Sequence, residues 1–84
     1  MDHHALHTSR HAVEEALTAR EDVERLRRGI AALPPHYRDV LVLTELAERS
    51  YVDTALICGC ELNTVRSRLS RARALLARWM QAPQ

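Results

Sequence analysis

The chain has 84 residues, room for one small domain with a modest core. Its 12 basic residues, all arginine, nearly balance 11 acidic ones, and with two Gly and three Pro it holds little turn-forming material, which disfavours a β-sandwich or barrel; Ala, Leu, Arg and Glu dominate and favour helices. No apolar run approaches the roughly 18 residues of a membrane span, and the His-rich N-terminus lacks a signal peptide's apolar core, so a cytoplasmic protein with reduced thiols and no membrane partner is expected.

Residues 1–11 read as a disordered lead, with little to bury. His3, His7 and His11 share a helix face and, with His4, could hold a metal; a solvated tail or linker is the expected reading. A helical stretch follows over residues 12–32, where Val13, Leu17, Val23, Leu26 and Ile30 keep an approximate helical spacing. Thr18 and Glu21 resemble a capping box, which puts a break there, a firm helix at 19–32, and a division into a flexible tail or interdomain linker (1–18) and a domain (19–82). Pro34 and Pro35 end that helix and open the next, predicted over residues 35–48 around the apolar run Val40, Leu41, Val42 and Leu43. Ser50, with Asp53 three residues on, caps a third helix, and Gly59 ends it in the left-handed conformation glycine tolerates, which puts it at residues 51–58. Glu61 stands at the start of a fourth helix, predicted over residues 62–80 with a core stripe of Val65, Leu69, Ala72 and Leu76. The expected core is Leu26, Ile30, Leu33, Val40, Leu41, Leu43, Ala55, Val65, Leu69, Ala72 and Leu76. Cys58 and Cys60 lack the CxxC spacing of zinc and redox sites and are expected to be reduced and metal-free.

Charge is unevenly placed. Residues 1–61 carry seven Arg against 11 acids, a net of −4, whereas residues 62–84 carry Arg66, Arg68, Arg71, Arg73 and Arg78 with no acid. A basic segment on an acidic body suits a polyanion. Two helices joined by a tight glycine turn, the second basic and amphipathic, make a helix-turn-helix with 50–58 as supporting helix and 62–73 as recognition helix. The fold expected is therefore all-α, four helices containing a helix-turn-helix, of the winged-helix-like DNA-binding class without a wing. At 100° per residue from Val65, the side chains of Arg66, Ser67, Ser70 and Arg71 lie opposite the core stripe, where Arg can meet guanine with two hydrogen bonds and the small side chains allow close approach. Arg68 and Arg73 point sideways, toward groove walls or internal acids.

Residues 33–76 resemble the C-terminal promoter-recognition region of bacterial extracytoplasmic-function sigma factors. The matching pieces are Leu33-Pro34-Pro35-His36-Tyr37-Arg38-Asp39-Val40-Leu41-Val42-Leu43, Ser50-Tyr51, Ala55, Gly59-Cys60 and the specific block Thr64-Val65-Arg66-Ser67-Arg68-Leu69-Ser70-Arg71-Ala72-Arg73. The resemblance implies a recognition helix in the major groove of the promoter −35 element, with Arg66, Ser67, Ser70 and Arg71 on base edges. It makes Asn63, Thr64, Arg68 and Arg73, and more weakly Arg38 and Arg49, candidates for phosphate contacts. It further implies docking on the β flap of RNA polymerase core, masking by anti-sigma proteins, and no cofactor. The chain departs from the family pattern at Asn63, where Gly is usual, at Thr54, where a larger apolar residue is usual, and at Leu56, where a polar one is; the last leaves Leu56 exposed to a partner or the supporting helix slightly rotated. The N-terminal domain of a complete sigma factor, which melts and reads the −10 element, does not fit in residues 1–32. An excised C-terminal piece is expected, with residues 8–20 suited to an acidic linker; a stand-alone protein is the alternative.

Other classes fit less well. A response-regulator output domain usually carries a different recognition-helix pattern. A sigma-like interaction module or transcriptional regulator that binds polymerase or an anti-sigma factor, touching DNA weakly, stays compatible with the sequence. Catalysis needs convergent polar groups, and no nucleophile with a neighbouring base, phosphate-binding glycine loop or metal spacing is present, so no enzyme is expected.

Overall fold

The computed structural model describes residues 3–83, with the side chains of residues 3–11 and of Ala16 outside the description. Four helices follow one another: α1 (His3–Ala32), α2 (Pro35–Leu41), which widens into a π-helical turn (Val42–Leu46), α3 (Tyr51–Cys58) and α4 (Leu62–Gln81). No strand occurs among the described residues.

The N-terminal part corrects the sequence expectation. In place of a disordered lead and a break near residue 18, α1 is continuous from His3. No proline interrupts that stretch, and its alanines, leucines, arginines and glutamates all favour the helix. Thr18 does not cap a new helix; its hydroxyl donates to the Glu14 carbonyl at 3.0 Å, a bond made inside a helix already running. His3, His4, His7 and His11, considered above as metal ligands, lie outside the described side chains.

Pro34 stands extended (φ −56°, ψ 146°) and Pro35 opens α2, where a missing N–H costs nothing. The predicted helix over 35–48 stops short. The Thr44 hydroxyl donates to the Val40 carbonyl at 2.7 Å, and the Ala47 N–H reaches back five residues to Val42 at 2.9 Å, which makes the last turn wide. Glu48 then takes a left-handed φ of 55°, which ends the helix without a glycine. This wide turn carries Glu45 outward, toward α4.

The core forms where α2 crosses α4: Leu33, Val40, Leu41, Leu69 and Ala72 are buried together, with Ile30, Tyr37, Cys58, Leu75 and Leu76 packed around them. Val65 and Ala55 are buried as well. Of the expected core, Ile30, Leu43 and Leu76 are half-buried, and Leu26 is 38% exposed. Leu43 lines an open groove between α2 and α3; for Leu26 and Ile30 the cause lies in α1. Helix α1 touches the domain through its C-terminal end, so its apolar residues emerge into solvent toward the N-terminus; Val13 and Leu17 are exposed. Thr54, where a larger apolar side chain was the usual choice, is fully buried and is satisfied by donating its hydroxyl to the Ser50 carbonyl at 2.8 Å.

Where α1 meets α4 the contact requires glycine. A Cβ on Gly29 would stand 2.8 Å from Leu76 Cδ1 and 2.9 Å from Trp79 Cε3. Gly29→Ala gains up to about 1 kcal/mol of helix propensity but overpacks this crossing, which typically costs about 1–3 kcal/mol. We expect a net loss of stability in urea unfolding and a shifted emission of Trp79, the single tryptophan. A more stable variant with unchanged emission would show that α1 does not pack here.

Candidate nucleic-acid interface

The helix-turn-helix is built from local signals. The Ser50 hydroxyl accepts from the Asp53 N–H at 3.0 Å and starts α3. Gly59 ends it at φ 66°, ψ 40°, and the Cys60 N–H closes the turn on the Ala55 carbonyl at 3.0 Å. Nothing would touch a Cβ at Gly59, so backbone conformation alone calls for glycine there. Glu61, extended at φ −82° and ψ 159°, caps α4 through its carbonyl, which accepts from the Val65 N–H at 3.1 Å.

Helix α4 then sorts its side chains by the helical period. Val65, Leu69 and Ala72 are buried at 0%, 2% and 0% exposure, while Arg66, Ser67, Ser70, Arg71 and Ala74 are exposed. The four residues expected on base edges therefore share one open face. Among the described residues neither Arg66 nor Arg71 is tied up in a hydrogen bond or ion pair. Ser67 keeps its oxygen lone pairs available while its hydroxyl donates to the Thr64 carbonyl at 3.2 Å.

The expected phosphate contacts divide. Asn63 is exposed at the start of α4, and Thr64 and Arg68 are half-buried at its edges. Arg49 is exposed in the loop ahead of α3. Arg38 is placed apart from the α4 face: it lines a groove of about 370 Å³ between α2 and α3 with Asp39, Val42, Leu43, Ile57 and Cys58. Arg73 is held by Glu45, to which its Nε donates at 3.1 Å and a terminal nitrogen also donates, the internal-acid alternative for this side chain. Glu45 and, to a lesser degree, the Tyr51 hydroxyl favour the charged guanidinium and push its pKa up. Burial, the neighbouring Cys60 and Asp39 push the Cys58 thiol up, which keeps it protonated and unreactive near neutrality.

Sequence reasoning missed Glu45 as the partner of Arg73. It also missed Arg25, whose guanidinium donates to the Met80 carbonyl at the C-terminus of α4. No spacing rule reaches across such separations. Leu56, singled out for its unusual apolar character, stands 76% exposed on α3, with Val52 and Ile57 each 58% exposed beside it. Among the described residues no group of three or more His, Cys, Asp or Glu could hold a metal, and no helix is long and apolar enough to cross a membrane.

Residues 23–76 match the model of the family described as sigma-70, region 4. Over 58 residues the chain is 48% identical to the ECF RNA polymerase sigma factor SigC of Mycobacterium tuberculosis, covering 68% of this chain and 31% of that protein. It is 40% identical over 60 residues to the ECF RNA polymerase sigma factor EcfG of Rhodopseudomonas palustris (71% and 33%). With the RNA polymerase sigma-H factor of Pseudomonas aeruginosa it shares 35% over 68 residues (80% and 35%). The chain spans between 31% and 35% of the length of these relatives.

Proposed function

Because the chain belongs to the sigma-70 region 4 family, we propose that it reads the promoter −35 element with α4 in the major groove and so directs RNA polymerase to a start site in the cytoplasm, as part of an extracytoplasmic-function sigma factor. The observation that carries this is the exposed, unpaired pair Arg66 and Arg71 on the face opposite Val65, Leu69 and Ala72. Arg66, Ser67, Ser70 and Arg71 read bases, and Asn63, Thr64 and Arg68 hold phosphates. Arg49 is a more distant backbone contact, and Arg38, in the α2–α3 groove, is the weakest of the set. The chemistry is binding and not catalysis.

The exposed Val52, Leu56 and Ile57 of α3 suit a partner with an apolar surface. RNA polymerase core, through its β flap, is the partner we assign, and an anti-sigma protein would compete for the same face. These side chains would equally serve a sigma-like interaction module, but such a module has no need of five arginines without one acid in residues 62–84.

One module makes few contacts, so the 84-residue chain should bind duplex DNA weakly and with a steep salt dependence, each phosphate contact adding about 0.9 to the slope of log K against log salt. A salt titration by fluorescence anisotropy measures it. Binding that does not respond to salt would contradict the role of the basic helix.

A further inference from the structure

We propose that Glu45 withholds Arg73 from the DNA backbone, so that α4 meets its duplex with one phosphate contact fewer than its arginines would provide. This rests on the reading of α4 as the DNA-facing helix. Arg73 follows Arg66 by seven residues, two turns further along and on nearly the same side, about 10 Å away along the axis. Left to itself it would reach the groove wall beside the base-reading face. Instead two of its nitrogens donate to one carboxylate oxygen of Glu45, across 28 residues of chain.

Glu45 is held in place for this task. It sits in the wide turn after α2, between Thr44, anchored to the Val40 carbonyl at 2.7 Å, and the Ala47 N–H that closes on Val42 at 2.9 Å. The side chains of Arg73 and Glu45 are 56% and 43% exposed, so the pair lies at the rim of the domain, where a phosphate could compete for the guanidinium. Competition fails on charge. Moving Arg73 to a phosphate would leave the Glu45 carboxylate unpaired on the flank of a helix that faces a polyanion, exchanging one attraction for another and adding a repulsion. The paired state keeps that flank neutral. It lowers affinity for any duplex while leaving Arg66 and Arg71, which carry the sequence preference, untouched.

The test measures salt slopes on duplex DNA for the full chain and its variants. Glu45→Gln should steepen the slope by about 0.9 and tighten binding to all duplexes alike, about five- to tenfold near 0.1 M salt. Arg73→Ala alone uncovers the Glu45 carboxylate and should weaken all duplexes alike, so the double variant, which removes both charges, carries the comparison and should keep the wild-type slope. A double variant whose slope falls about 0.9 below the wild type would overturn the proposal, as would a Glu45→Gln slope that does not change. If circular dichroism shows that Glu45→Gln does not fold, Glu45→Ala and its double variant with Arg73→Ala take its place. A wild-type chain without salt-dependent duplex binding would overturn the reading of α4 itself, an outcome distinct from a slope that drops in the double variant.

Discussion

Leu69→Ala is expected to unfold much of the domain. Leu69 is 2% exposed and sits where α4 crosses α2, in one cluster with Leu33, Val40, Leu41 and Ala72. Truncating its isobutyl side chain to a methyl forfeits transfer free energy and leaves a cavity, about 2–5 kcal/mol in all. A domain with so small a core stands near the low end of the usual stability of about 5–15 kcal/mol, so the loss takes a large share of the total. Ser70→Ala, one position along on the exposed face, should stay within about 0.5 kcal/mol. Urea unfolding followed by circular dichroism compares the two, and equal midpoints for both variants would refute the helix orientation on which the interface depends.

How much of this could be read from the residues depends on the range of the interactions. The start of α3 at Ser50, its end at Gly59 and the two-sided pattern of α4 are legible, because each rests on contacts three or four residues apart or on the helical period itself. The outward set Arg66, Ser67, Ser70 and Arg71 follows from that period and comes out exposed together. The exposure of Leu56 follows from a single apolar residue at an outward position. What escapes is non-local. Leu26 has the spacing of a core residue, but its burial depends on how far α1 follows α4, which no local pattern encodes. The early end of the helix after Pro35 depends on the Thr44 hydroxyl choosing the Val40 carbonyl and on Glu48 adopting a left-handed backbone. The partner of Arg73 is Glu45, 28 residues away, and only the fold brings them together.

The second large effect concerns DNA. Arg66 and Arg71 project from the open face of α4 with no partner among the described residues, whereas Arg68 is half-buried at its edge. A bidentate arginine on guanine contributes about 1–3 kcal/mol of discrimination against the wrong base pair, and a phosphate contact contributes the same to every sequence. Arg66→Ala and Arg71→Ala should therefore each lose about 1–3 kcal/mol on the preferred site and flatten the preference at one or two base pairs. Arg68→Ala should weaken all duplexes by a common factor and reduce the salt slope by about 0.9. The decisive measurement is the affinity of the wild type, Arg71→Ala and Arg68→Ala across duplexes that differ from the preferred site by one base pair at a time. The Arg71 change should erase discrimination at particular positions while the Arg68 change lowers every affinity equally. If Arg71→Ala weakens all duplexes alike and Arg68→Ala alters base preference, α4 meets DNA in another rotation and the assignment of its reading face is wrong.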